Sequence, residues 1–132
     1  MSSQKHNAEE YEQILRELEE QLRPLFDRST VGVYLYVTDH HKTCNARMAD
    51  MHGMTVEEWK NMPTFLNDFI AEEDRQIYAR NYRHHVAELR HPITFRFRGL
   101  RKDGSTFAAE TDMIPLCWRG HAVAYHFVRE IS

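Results

Sequence analysis

Cysteine is scarce in this chain of 132 residues. Cys44 and Cys117 stand apart, without the paired spacing of a zinc site or a redox dithiol, so both read as structural thiols of a reducing compartment and a disulfide-stapled scaffold is excluded. No apolar run is long enough to cross a bilayer, the mean hydropathy is −0.66, and residues 1–7 are polar. Neither a membrane span nor an apolar signal segment is expected, and the cytoplasm is the expected location. No sign of charge dominates: 17 basic against 20 acidic residues leave a net −3, which offers no broad footprint for nucleic acid. No nucleophile motif occurs either, and the strand alternation below turns Glu110 and Asp112 away from the inward face, so no catalytic residue is assigned and the chain is not expected to be an enzyme.

What is present suits one domain with one core: 42% of residues are hydrophobic and 28% charged, at a length that buries a core without metal or disulfide. The charge divides the chain at residue 28. Residues 1–28 hold seven acids and four bases, whereas residues 29–132 hold thirteen of each. From Asn7 to Arg23 the chain is rich in good helix formers and lacks glycine, which predicts an N-terminal amphipathic helix. Tyr11, Leu15, Leu18, Leu22 and Leu25 recur at heptad spacing, a narrow seam suited to another helix. Pro24, which lacks an amide hydrogen, should kink or stop the helix near Arg23. The seam either packs across its own domain or forms a dimer with a second copy.

Residues 31–38 are β-branched and aromatic and read as a first strand, followed by the polar run Asp39-His40-His41-Lys42. Residues 46–52 form a short helix closed by Gly53, and Thr55 with Glu58 fits a capping box opening another. Glu72, Glu73 and Asp74 place negative charge at the start of a longer helix reaching about Arg90, whose inward stripe at helical spacing is Tyr78, Tyr82, His85, Val86 and Leu89, with Arg80, Arg83 and His84 off it. Three strands follow at hairpin spacing, 93–100, 106–116 and 122–131, joined by turns bearing Gly104 and Gly120. This order gives an α+β domain with helices on one face of an antiparallel sheet.

These pieces resemble the PAS sensory domains (the sensory box). The resemblance rests on Ser29-Thr30-Val31-Gly32 entering the first strand, Asn45-Ala46 through His52-Gly53-Met54, Thr55 to Trp59, Glu73-Asp74-Arg75, Phe97-Arg98 to Arg101-Lys102-Asp103-Gly104-Ser105, and the terminal Val128-Arg129-Glu130, in the family's order and near its spacing. It covers residues 29–132. It implies a PAS-like five-stranded antiparallel sheet curved around a small cavity, a signal entering through the cavity or a dimer surface, and output through flanking helices to an effector of histidine kinase or diguanylate cyclase type. That effector is expected C-terminal to residue 132, in a longer parent protein. One departure stands out: only His40 to Cys44 are available where the family has a turn and a full second strand, so that edge strand should be short or partly lost.

Side chains alternate along a strand, so Phe95 and Phe97 share one face, Ala109, Thr111 and Met113 another, and Ala124, His126 and Val128 a third. By the resemblance these faces line the family's pocket, and the expected ligand residues are Tyr78, Tyr82, His85, Phe95, Thr111, Met113 and His126. The opposite face of the last strand carries Val123, Tyr125 and Phe127, an apolar stripe that needs cover. Joined to the seam Tyr11, Leu15, Leu18, Leu22 and Leu25, it predicts a parallel homodimer.

Haem-binding relatives use a histidine on the long helix where this chain has Tyr78, and the flavin photosensors carry an Asn-Cys-Arg motif where residues 62–68 lack cysteine. Neither cofactor is expected, and the identity of any ligand stays open. His85 and His126, both predicted inward, could bind an anionic small molecule or a metal or act as a pH switch, or be core histidines satisfied by Tyr78, Tyr82 or Thr111. No third metal ligand can be placed, so no metal is expected. His40 and His41 read as loop, and His84, His91 and His121 as surface. Arg96, Arg98, Arg101 and Lys102 read as a solvated sheet face rather than a nucleic-acid surface. The functional expectation is a sensor module, against the alternative of a dimerisation or protein-interaction module with a filled core.

Overall fold

The computed structural model describes the backbone of residues 3–88 and 90–131 and the side chains of 8–88 and 90–131; Met1, Ser2, Leu89 and Ser132, and with them the inward position expected of Leu89, lie outside the described residues. In chain order the elements are α1 (Ser3–Arg28), β1 (Gly32–Thr38), β2 (His41–Cys44), α2 (Ala46–Met51), α3 (Val56–Asn61), α4 (Phe65–Phe69), a 3₁₀ turn (Glu72–Asp74), α5 (Arg75–Asn81), a π-helical turn (Tyr82–Ala87), β3 (Ile93–Leu100), β4 (Thr106–Trp118) and β5 (His121–Glu130). The strands make one antiparallel sheet in the order β2-β1-β5-β4-β3.

Strand alternation divides the core in two. Tyr34, Phe97, Ala109, Met113, Ala124 and Val128 face α2 to α5 and pack with Met48, Trp59, Phe65, Phe69 and Tyr78. Leu35, Val37 and Val123 face the other way and pack with Ile14 and Leu18 of α1. The N-terminal helix is thus laid across the outer face of its own sheet. Ile14, which the heptad seam passes over, is 0% exposed and Leu18 2%. Fully burying side chains of that size is worth about 1.5–3 kcal/mol each. Glu17 fastens the helix further, its carboxylate accepting from the Trp118 indole at 2.9 Å and from the Arg119 guanidinium at 2.6 Å.

Pro24 does not end α1, contrary to the expectation from its chemistry; helix continues to Arg28, and the Ser29 amide still donates to the Leu25 carbonyl at 2.9 Å. The lost hydrogen bond is offset by the last turn's attachments. Phe26 packs against the outer core, and its carbonyl accepts from the Asn45 side chain. Asn45 also caps α2, its Oδ1 accepting from the amides of Val33 and Met48, so one buried amide ties α1, β1 and α2 together. The capping box of Thr55 and Glu58 is present.

β2 is formed, though only four residues long. Lys42 holds this edge. Its buried ammonium donates to the Met62 carbonyl at 2.5 Å and to the Asp39 carbonyl, and an inward-turned lysine also discourages pairing of the edge with another strand. The arginines of β3 and the two basic residues after it are taken by intramolecular partners: Arg96 by Glu110, Arg98 by Asp74, Arg101 by Glu130 and Lys102 by Glu58.

The long helix departs from the sequence expectation at its second half. From Tyr82 it widens into a π turn, with the Arg90 amide reaching the His85 carbonyl five residues back at 2.9 Å. Each residue of a wider turn advances by less than 100° around the axis, so positions beyond Tyr82 fall behind the α-helical count. Val86 keeps the inward position expected of it and is 0% exposed, whereas His85 does not.

At Gly99 on β3 the ring of Phe107 closes on the backbone: a Cβ there would meet Phe107 Cζ at 2.3 Å. Gly99→Ala is therefore expected to lose about 1–3 kcal/mol in urea denaturation; unchanged stability would mean that the ring does not cover the strand.

Candidate functional site

β1 directs Tyr34 and Tyr36 to the inner face, and antiparallel register sets Tyr34 opposite His126 of β5, which in turn faces Met113 of β4. The Tyr34 ring stacks on the His126 imidazole, with centroids 3.9 Å apart and planes 7° from parallel. Tyr78 comes down from α5 to share a hydrogen bond between its hydroxyl and that of Tyr34, its ring 6.4 Å from His126 and tilted by 20°. Phe65 of α4 closes one side, 5.2 Å from Tyr34 and 5.7 Å from Tyr78. Tyr36 and Tyr82 meet edge to face at 5.5 Å, and the Tyr36 hydroxyl donates to Asp39 at 2.9 Å.

These rings enclose a cavity of about 140 Å³. Tyr34, Tyr36, Phe65, Tyr78, Tyr82 and His126 form its walls, and Leu66, Ala79 and Arg83 complete them. Arg83 is solvent-exposed and so belongs to the mouth.

His126 is the unusual member. It is 1% exposed, and neither ring nitrogen has a hydrogen-bond partner. Burial pushes its pKa down to about 3, so the ring is neutral near pH 7, with one donor and one acceptor both unused. Burial likewise raises the phenols of Tyr34 and Tyr78, and burial with the Asp39 carboxylate raises that of Tyr36. The interior therefore carries polar groups and no charge.

Of the seven expected ligand residues, the fold brings Tyr78, Tyr82 and His126 to the cavity wall. Phe95 stands behind Tyr78, 5.3 Å from its ring, and Thr111 and Met113 are buried in the core without lining the space. His85 requires correction. The π turn carries it off the inward stripe, and its Nδ1 lies 3.0 Å from the His91 carbonyl beside the His91 ring, away from the cavity. The two expected imidazoles do not meet. Tyr34 and Tyr36 were absent from the expected set although their spacing on β1 already put them on one face; Phe65 and Leu66 had no such signal, because a helix of five residues shows no period. Arg83, read as off the stripe, reaches the mouth.

Two other histidines differ from their sequence reading. His41 opens β2 and packs on Tyr11, and His121 is half-buried, its Nε2 2.8 Å from the Glu10 carboxylate. His52, which sequence reasoning passed over, is 0% exposed, with Nδ1 2.7 Å from the Leu100 carbonyl and burial lowering its pKa to about 4.

No cluster of three metal-ligating side chains occurs among the described residues. The residues do not fit haem or a flavin adduct either: the Tyr78 hydroxyl is engaged with Tyr34, no cysteine lines the cavity, and its volume suits one ring rather than a fused or tetrapyrrole system.

A family model described as the PAS fold matches residues 41–128. The chain belongs to the PAS fold family. No curated protein matches it. Among solved structures, this PAS domain is similar to one from a two-component sensor histidine kinase (19% identity, TM-score 0.66, covering 88% of this chain and 99% of that one). It is similar also to that of an HTR-like protein from Haloarcula marismortui (21%, 0.62, 93% and 99%) and to a PAS domain from Colwellia psychrerythraea (18%, 0.70, 86% and 97%). At such identities the likeness is one of fold. The PAS scaffold here has its usual five strands, with a shortened β2 that still pairs with β1.

The two buried imidazoles set a pH dependence. At about pH 5 the unfolded chain protonates both, while His52 and His126 stay neutral in the fold, so the unfolded state binds more protons. Stability is full above about pH 6.5 and is lost as pH falls toward the folded values, by about 2 kcal/mol per ring between about pH 7 and pH 5. Urea denaturation of His126→Phe should show roughly half the wild-type loss over that interval; an identical loss would contradict the buried, neutral ring.

Proposed function

We propose that this PAS domain is a noncatalytic sensory module of the cytoplasm that takes a small molecule between Tyr34, Tyr78, Tyr82 and His126. It relays occupancy to an effector of the histidine kinase or diguanylate cyclase type in a longer protein. The observation that carries this reading is the pair of unsatisfied nitrogens on a fully buried His126 beside a ring-sized cavity. A buried polar group without partners costs on the order of 1–3 kcal/mol, which an occupant able to accept or donate a hydrogen bond would recover. The relay has a material basis in the sheet. β1 and β5 carry Tyr34, Tyr36 and His126 on one face and Leu35, Val37 and Val123 on the other, where α1 lies. Anything that shifts the rings pushes on the strands that seat the helix.

The module acts as a homodimer in this reading. After α1 has docked, Leu18 and Val123 are used inside the chain, while Tyr11, Leu15, Leu22, Leu25, Tyr125 and Phe127 remain half-buried, the last two with rings 6.0 Å apart. A second copy laid on this stripe would finish its burial. Native mass spectrometry reads both parts of the proposal at once. A dimer retaining a small molecule is expected, with Phe127→Glu reducing it to monomer without unfolding. A bare protein that takes up no small molecule supports instead the filled-core interaction module, and a monomeric wild type removes the dimer.

A further inference from the structure

Resting on the reading just given, the shape and charge of the cavity narrow its occupant to one chemical class. Size comes first. An apolar cavity of about 150 Å³ in another protein holds one benzene ring, and this one measures about 140 Å³. Its walls are ring faces and edges: Tyr34, Phe65 and Tyr78 pack against one another as one wall, and Tyr36 and Tyr82 meet edge to face in another. Such walls favour an aromatic ring over an aliphatic one, because offset and edge contacts add to area burial.

Charge comes second. The inner end is neutral, since His126 and the tyrosine hydroxyls are uncharged there, and no carboxylate lines the cavity. An ion driven to that end would lose its hydration without compensation. The nearby Asp39 is already occupied, accepting from the Tyr36 hydroxyl at 2.9 Å and from the Phe65 amide at 3.1 Å. The one charged group among the lining residues is Arg83, exposed at the mouth, with no carboxylate paired to it among the described residues. The cavity thus offers a hydrogen-bonding imidazole at its floor, aromatic walls, and a guanidinium at its rim.

We propose that the occupant is a single-ring aromatic carboxylate, its ring against the wall of Tyr34, Phe65 and Tyr78, a hydroxyl or similar polar substituent at His126, and its carboxylate on Arg83. A cation would meet ring faces but no lining carboxylate, and the Arg83 guanidinium at the rim would repel it. Dicarboxylates with their charges at opposite ends would have to leave one at the neutral floor.

Calorimetric titration with 4-hydroxybenzoate, benzoate and phenol tests this on the wild-type domain and on Arg83→Gln, an exposed substitution that leaves the core untouched. The expected order is 4-hydroxybenzoate tightest and phenol at least about tenfold weaker, the size of one charge-assisted hydrogen bond. Arg83→Gln should reduce 4-hydroxybenzoate to the level of phenol and leave phenol unchanged. Equal binding of phenol and 4-hydroxybenzoate, in both proteins, would overturn the carboxylate assignment while leaving the cavity as a ligand site. No binding of any of the three at millimolar concentration would overturn the assignment, and a bare protein by native mass spectrometry would then take the sensory reading with it.

Discussion

The contact on which the rest of the structure turns is the stack of Tyr34 on His126. It joins β1 to β5 at the centre of the sheet, and it exists because the register puts those two residues opposite each other on the inner face. A stacked imidazole cannot use its nitrogens against its neighbour. The arrangement therefore secures packing at the expense of two hydrogen bonds within the protein. The neutral charge state of His126 and its share of the acid sensitivity follow from that one geometry, and the proposed polar occupant would meet its unused nitrogens. Tyr78 completes it by tying its hydroxyl to Tyr34, so a hydrogen bond as well as ring packing joins the helix above the cavity to the sheet below it.

The same sheet has a second life on its outer face. Val123, Leu35 and Val37 are covered by Ile14 and Leu18, and polar ties at Glu17 and Glu10 hold the helix at the β4–β5 turn. In the proposed reading, a leading helix clasped this way would report the shape of the sheet. The half-buried remainder of the stripe is what a second copy would share.

Strand faces were legible in the sequence because their period of two survives any context. The inward sets Ala109, Thr111 and Met113, and Ala124, His126 and Val128, are all buried, and Glu110 and Asp112 lie on the opposite face, where both meet Arg129. Helical faces were less legible. The count along the long helix assumed one kind of turn; Val86 is buried as expected, but the π turn from Tyr82 carried His85 off the stripe and left Arg83 at the mouth. The heptad seam of α1 was a true pattern, but the deepest residue, Ile14, lies beside it, because a helix on a flat sheet buries a broader stripe than one on another helix. Pro24 was read from its local chemistry alone, which tertiary attachment at Phe26 and Asn45 overrode. Cavity walls drawn from a short helix, such as Phe65 and Leu66, carry no period to read.

The central claim is that the His126 ring sits neutral and enclosed between Tyr34 and the cavity. Nitrogen-15 NMR of the selectively labelled imidazole tests it directly. Shifts of a neutral ring that do not move from neutrality down to about pH 4 are the expected result, given a pKa near 3. A titration midpoint close to 6.5, the value of a histidine in water, would contradict the account.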